Sequence, residues 1–168
     1  MVVLERAASL LDRFLPSEAS AWLESRMRDA GAKLLLATSV GEIQASPSGR
    51  MRLTTGAGRL EVDELIVAVG LSPNDALARE AGLAVAAGGG ILVDASCRTS
   101  NEHVFACGDC TSQQRPGQTA PTRLESWQNA NEQARTAAAA MLDAPLPAPA
   151  VPWFWTDQGQ HNIQVLGL

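Results

Sequence analysis

With 168 residues, 46% of them hydrophobic and 18% charged, the chain has the make-up of an ordinary globular protein of about one domain, or of parts of two. A net charge of −5 gives no basic footprint for nucleic acid, and no apolar run approaches the roughly 18 residues of a membrane span. Met1-Val2-Val3-Leu4-Glu5 lacks the basic start of a secretory signal. Three cysteines, an odd number, argue against a secreted disulfide framework, so a reducing cytoplasm is the expected setting.

Val2-Val3-Leu4 reads as a buried strand ending at Glu5. Pro16-Ser17-Glu18 opens an amphipathic helix, and Gly31 closes it by supplying a left-handed position. Lys33 to Ala37 is the next apolar strand. From Val40 to Val62 the pattern changes: Ile43, Met51, Leu53, Leu60 and Val62 are spaced near period two, with turns at Ser46-Pro47-Ser48-Gly49 and Thr55-Gly56-Ala57-Gly58. This predicts a three-stranded antiparallel meander. Leu65-Ile66-Val67-Ala68-Val69 is then expected as a fully apolar strand of a parallel sheet, ended by Gly70 and the turn Ser72-Pro73-Asn74.

A short helix is predicted from Asp75 to Ala81, followed by the strand Ile91 to Asp94. Val104-Phe105-Ala106 reads as a short apolar strand running into Gly108-Asp109, which presents a carboxylate at a strand end where backbone can approach a ligand. A polar loop from Thr111 to Thr122 leads to a long helix, roughly Ser126 to Leu142, whose Ala137 to Ala140 run has the highest helix propensity in the chain. Pro145, Pro147, Pro149 and Pro152 mark a linker. Beyond it, Trp153 to Leu168 reads as the start of another domain, with Ile163 to Leu166 as an unfinished strand whose open edge wants a partner.

Three stretches carry the functional signal: Val104-Phe105-Ala106-Cys107-Gly108-Asp109-Cys110, Arg123-Leu124-Glu125-Ser126-Trp127-Gln128-Asn129-Ala130, and Val151-Pro152-Trp153-Phe154-Trp155-Thr156-Asp157-Gln158. In this order they resemble the flavin-binding half of the ferredoxin reductases that feed electrons to oxygenase systems, a branch of the FAD-dependent pyridine nucleotide-disulfide oxidoreductases. Enzymes of that family bind FAD and nicotinamide dinucleotides through two Gly-x-Gly-x-x-Gly turns, and this chain has neither. Gly56-Ala57-Gly58 has Glu61 where the third glycine belongs and sits in a hairpin pattern, and Gly88-Gly89-Gly90 precedes a strand instead of following one. The resemblance covers essentially all 168 residues but starts in the second strand of the nicotinamide domain, so the chain is expected to be a fragment.

The resemblance implies an α/β fold: a partial dinucleotide-binding fold with a parallel sheet and an antiparallel three-stranded meander, followed by a flavin-domain remnant. The expected divisions are residues 1–95 for a partial NAD-binding domain, 96–143 for the C-terminal part of the FAD-binding domain, and 144–168 for a linker and the start of a C-terminal domain. It further implies that Asp109 hydrogen-bonds a ribityl hydroxyl of FAD, with Gly108 letting backbone come close; without it, Asp109 is a turn-forming aspartate. Cys107 replaces the alanine or threonine usual before that turn and is small enough to pack there.

By the same resemblance the helix entered through Glu125 and Ser126 points its N-terminus at the flavin pyrimidine, where the helix dipole favours negative charge. Trp127 then lies beside the flavin; otherwise it is a core tryptophan. Trp153 and Trp155 continue that wall or belong to a hydrophobic core, which is favoured for at least one of them. Glu5, at the end of the first strand, stands where a dinucleotide fold sets an acid against the adenosine ribose and repels the extra phosphate of NADP, or is a solvated strand end. Gly70 is where backbone passes the nicotinamide cofactor, or a turn glycine.

The implied parent uses FAD and NAD as an NADH:ferredoxin or NADH:rubredoxin oxidoreductase, with hydride passing to the flavin and single electrons leaving to an iron–sulfur protein. No residue is assigned as a catalytic acid or base, and no metal site is expected. Two other classes stay open. One is a non-catalytic module that forms a homodimer through exposed edges. The other is a thiol or metal module built on Cys97, Cys107, Cys110 and His103, although Cys107-x-x-Cys110 is followed by a loop and not by the helix a redox dithiol needs.

Overall fold

The computed structural model describes residues 1–46 and 48–167, and the chain divides into two compact units, Met1–Val69 and Gly70–Leu168. In the first unit, strand β1 (Val2–Leu4) pairs in parallel with β2 (Lys33–Leu35), Val3 opposite Leu34. A parallel pair needs a long crossover, and helix α1 (Ser17–Asp29) supplies it. Pro16 fixes an extended backbone before the first turn, Glu18 lies in that turn, and Arg26 and Arg28 lie in the last, each charge matched to the near end of the helix dipole. Ser20 and Leu23, one turn apart, form the buried face. Gly31, at φ +87°, ends the helix as its sequence position predicts.

The meander is present: β3 (Val40–Ala45), β4 (Met51–Thr55) and β5 (Gly58–Val62) form an antiparallel sheet in that order. Ile43, Leu53 and Leu60 are register partners across it, and Leu53 on the central strand is buried. Gly56-Ala57 is the two-residue connection of a hairpin, closed by the Thr55 hydroxyl donating to the Gly58 carbonyl at 2.8 Å, so this glycine pair is a turn and no phosphate loop. Pro47, in the other predicted turn, lies outside the described residues.

Leu65 to Val69 corrects the sequence expectation, because no strand forms there and Ile66, Val67 and Val69 are exposed. An apolar run marks what wants burial, but a strand exists only where a neighbour completes its ladder. Among the described residues nothing pairs with this segment.

The second unit begins with α2 (Ala76–Glu80), then β6 (Ile91–Val93), which pairs in parallel with β7 (Thr111–Gln113), Leu92 opposite Ser112. Two expectations are corrected here. Val104 to Ala106 makes only an isolated bridge, Arg98 with Phe105, and the strand follows Gly108-Asp109 instead of leading into it. The predicted polar loop therefore opens with β7, whose Thr111 and Ser112 are buried through hydrogen bonds that hydropathy does not register.

Helix α3 (Trp127–Met141) buries Asn129, Gln133, Ala137 and Ala140 along one stripe at helical spacing. The proline segment carries no helix or strand. Ile163 to Leu166 is not an unfinished strand: β8 (Trp153–Gln158) and β9 (His161–Leu166) form an antiparallel hairpin, with Val165 paired to Phe154. Leu168 lies outside the described residues. Among the described residues no helix is long and apolar enough to cross a membrane.

Candidate functional site

Gly108 has φ +84°, a conformation that costs a side chain but not glycine. Its carbonyl accepts from both the Thr111 amide (3.0 Å) and the Thr111 hydroxyl (2.8 Å), which closes a tight turn with Asp109 and Cys110 at its centre. The turn is fed straight into β7, so the exposed Asp109 carboxylate stands at the start of a strand held in a parallel ladder. Asp109, Cys110, Arg123 and Glu125 line a cleft of about 230 Å³ together with Leu71 to Asn74.

The opposite wall is built by contacts that are individually ordinary. Gly89, at φ +86°, lies so close to Pro73 that a Cβ there would stand 2.7 Å from the proline Cγ. The Asp75 carboxylate accepts from the Gly90 amide at 2.8 Å and from Arg79 at 2.9 and 3.1 Å. Arg79 beside it, and then the Gly90 amide, hold the Asp75 carboxyl below its usual range. These bonds tie the Pro73-Asn74 corner to the start of β6. Arg123 pairs with Glu125 at 2.6 Å and donates to the Leu71 carbonyl at 3.4 Å, which fixes the remaining side of the cleft.

Helix α3 starts beside this cleft. Ser126 is its N-cap: the backbone is extended and the hydroxyl accepts from the Asn129 amide at 3.1 Å. A second cleft, about 240 Å³, is lined by Glu125, Ser126, Trp127, Phe154 and Trp155, so Glu125 and the helix start separate two adjoining depressions. Trp127 is 70% exposed and meets Trp155 edge to face with centroids 6.3 Å apart, while Trp153 stacks behind Trp155 at 5.1 Å. Gln128 anchors the hairpin to the helix by accepting from the Trp153 amide at 2.8 Å.

Of the residues singled out from sequence, Asp109, Glu125, Ser126 and Trp127 line these two clefts, and Gly108 opens the turn that carries Asp109. Gly70, at φ +98°, directly precedes Leu71 in the wall of the first. Glu5 belongs to the first unit, where its carboxylate accepts from the Ala7 amide at 2.7 Å at the end of β1. Sequence reasoning passed over Pro73, Arg123 and Gln133 as site residues. Only the Asn129 to Gln133 spacing, which places two amides on the stripe shared with Ala137 and Ala140, offered a signal for the last.

Burial holds two of the three cysteines in the thiol form. Cys97 is fully buried, and burial pushes its thiol up to about 11, while burial also raises Cys110. The Cys110 thiol donates to the Cys107 carbonyl at 3.5 Å. Among the described residues no group of three His, Cys, Asp or Glu side chains is placed to hold a metal.

The sequence profile described as "Pyridine nucleotide-disulphide oxidoreductase" matches residues 1–134. Solved structures with the same fold include the covalent putidaredoxin reductase–putidaredoxin complex (TM-score 0.92, 34% identity, covering 99% of this chain and 40% of that one). They also include the ferredoxin reductase for the CYP199A2 system from Rhodopseudomonas palustris (TM-score 0.90, 36% identity, 99% and 41%). An FAD-dependent pyridine nucleotide-disulphide oxidoreductase from Desulfovibrio vulgaris is a further match (TM-score 0.87, 27% identity, 99% and 42%). The chain thus spans about two fifths of the length of the solved chains it matches.

Proposed function

This chain belongs to the pyridine nucleotide-disulphide oxidoreductase family, whose members use FAD and NAD(P)H, and on that premise we propose that it supplies the flavin-facing turn and helix of an FAD-containing, NADH-dependent reductase that delivers single electrons to a ferredoxin- or rubredoxin-type protein. The observation that carries the proposal is the convergence of Asp109, Arg123 and Glu125 on one cleft whose floor turn needs a glycine at position 108.

The residues present fit one section of FAD. Asp109 would accept from a ribityl hydroxyl, and Gly108, whose φ of +84° disfavours any side chain, would let the group come close to backbone. Glu125, Ser126 and the first turn of α3 would hold the pyrimidine end, where the helix N-terminus favours negative charge. Trp127 and Trp155, which line the adjoining cleft, would pack against the face of the bound group. When bound, FAD converts a two-electron hydride donor into a source of single electrons; the protein positions and tunes it and offers no acid or base of its own.

Glu5 supports the preference for NADH, because a carboxylate at the end of β1 repels the extra phosphate of NADPH. The unpaired thiols support a reducing, cytoplasmic setting. The division into a partial NAD-binding part (1–95), a flavin part (96–143) and a following segment (144–168) is part of the same proposal.

The test is to purify the reductase carrying this segment, record its visible spectrum, and compare NADH with NADPH as donors and a [2Fe–2S] ferredoxin with a rubredoxin as acceptors. Absence of bound flavin overturns the proposal, and equal rates with both donors overturn the role of Glu5. A second reading, a non-catalytic homodimer, is favoured by the exposed run Ile66, Val67 and Val69. A sedimentation mass of twice 17.7 kDa for a flavin-free chain would select it.

A further inference from the structure

Gln133 lies in the middle of α3, 4% exposed, on the buried stripe it shares with Asn129, Ala137 and Ala140. A buried primary amide is retained only where its polar atoms are used. Its Oε1 accepts from the Gly108 amide at 2.8 Å and from Asn129 Nδ2 at 3.4 Å, and it stands 2.9 Å from the Thr111 hydroxyl, whose single proton it shares with the Gly108 carbonyl. The backbone amide of Gly108 can only donate, which identifies the atom facing it as the carbonyl oxygen and not the amide nitrogen. Nε2 makes only a 3.5 Å contact with Gln113 Oε1, so the group is anchored through its acceptor.

The two short contacts meet the chain on either side of Asp109 and Cys110. One oxygen therefore holds the first end of the turn through the Gly108 amide and lies against the second at Thr111, and it does so at a glycine with φ +84°. We propose that Gln133 is a positioning residue: by holding the Gly108 amide it fixes the direction in which Asp109 presents its carboxylate to the cleft. This rests on the assignment of Asp109 as the flavin-facing residue, and it predicts that the amide of Gln133 governs cofactor geometry without touching the cofactor.

The test compares wild type with Gln133→Met, which keeps volume and loses the acceptor, and with Gln133→Glu, which keeps an acceptor oxygen. In the 168-residue chain, amide hydrogen exchange is read at Gly108, with Ala137 and Ala140 on the same helix as an internal measure of folding. The Met variant is expected to lose at least about tenfold in Gly108 protection while the helix amides keep theirs, and the Glu variant is expected to restore it. In the intact reductase, flavin affinity is expected to fall about tenfold in the Met variant, with a displaced visible spectrum, and to recover in the Glu variant. Unchanged Gly108 protection in the Met variant overturns the proposal. So does lost protection with flavin affinity and spectrum unaltered. A wild-type reductase that purifies without flavin would instead sink the functional assignment, and the exchange data alone would then decide whether the clamp exists.

Discussion

Arg123 and Glu125, two residues apart, are locked in a 2.6 Å ion pair within the wall of the cleft that Asp109 lines, and neither side chain is more than about a third exposed. An extended stretch puts residues i and i+2 on the same side, which lets the Arg123 stem lie over Gly90 while its head reaches both Glu125 and the Leu71 carbonyl. The pair therefore holds the helix approach against the Gly70 to Asn74 segment. Substituting Arg123→Met keeps the stem but strands the carboxylate. The expected loss is about 1–2 kcal/mol, between exposed and buried pairs, and Arg123→Met with Glu125→Gln should recover part of it. Urea unfolding of wild type and the two variants checks this: a double variant no more stable than Arg123→Met would mean that the pair is not coupled.

Gly89 is required for a steric reason independent of any ligand. Alanine there meets Pro73 at 2.7 Å and must also hold φ +86°, and a proline ring cannot swing aside. Gly89→Ala is expected to cost about 2–4 kcal/mol, against about 1 for Gly82→Ala, where φ is +72° but nothing lies within 4 Å. Equal unfolding midpoints for the two variants would show that the Pro73 corner yields, and that the cleft wall is softer than its contacts indicate.

How much of this was legible beforehand depended on whether a feature is local. The helix start at Ser126, the Gly31 terminus and the 40–62 meander rest on residues within a few positions of each other, and each appears where the pattern put it. Leu65 to Val69 and Thr111 to Gln113 failed in opposite senses for one reason. The first is apolar but has no ladder partner among the described residues, whereas the second is polar yet becomes a strand because Ile91 to Val93 runs alongside it. Pairing is a property of two segments, and neither composition nor period-two spacing reports it. The candidate site divides the same way. Gly108-Asp109 and Glu125-Ser126-Trp127 stand out as motifs, while Gln133 gains its role only from a turn twenty-five residues earlier in the chain.

Cys97 gives the chain an alkaline limit. Its thiol, ordinarily near 9.0, is raised to about 11, chiefly because burial disfavours the thiolate. The folded state therefore keeps a proton that the unfolded chain releases between those values. The contribution is fully present below pH 9 and is lost as pH rises from 9 to 11, at up to about 1.4 kcal/mol per unit. The chain contains no tyrosine to titrate in the same window. Unfolding free energies measured at pH 8, 9 and 10 for wild type and Cys97→Ala should diverge in slope, wild type falling more steeply; parallel slopes would show that Cys97 ionises without unfolding.

The last expectation concerns FAD and this chain by itself, which should bind more weakly than micromolar and show no turnover. On the proposed assignment Asp109, Gly108 and the start of α3 would serve only the ribityl and pyrimidine portions, and the cleft of about 230 Å³ falls below the roughly 300–1,000 Å³ of pockets that enclose a whole ligand of that kind. The pyrophosphate needs a glycine turn at a helix N-terminus. Gly56 to Gly58 is instead a hairpin turn, and Gly89 and Gly90 are spent on close packing against Pro73 and Ser112. Each missing charge-assisted hydrogen bond to phosphate forfeits about 1.5–3 kcal/mol, so several together cost many powers of ten in affinity. Pairing two copies does not help, since a second copy brings the same glycines in the same places. Titrating FAD into the chain and following flavin fluorescence measures this directly: submicromolar binding would mean that the cleft holds the cofactor without a phosphate-binding turn, whereas weak binding that Asp109→Ala weakens further would locate what affinity there is at that carboxylate.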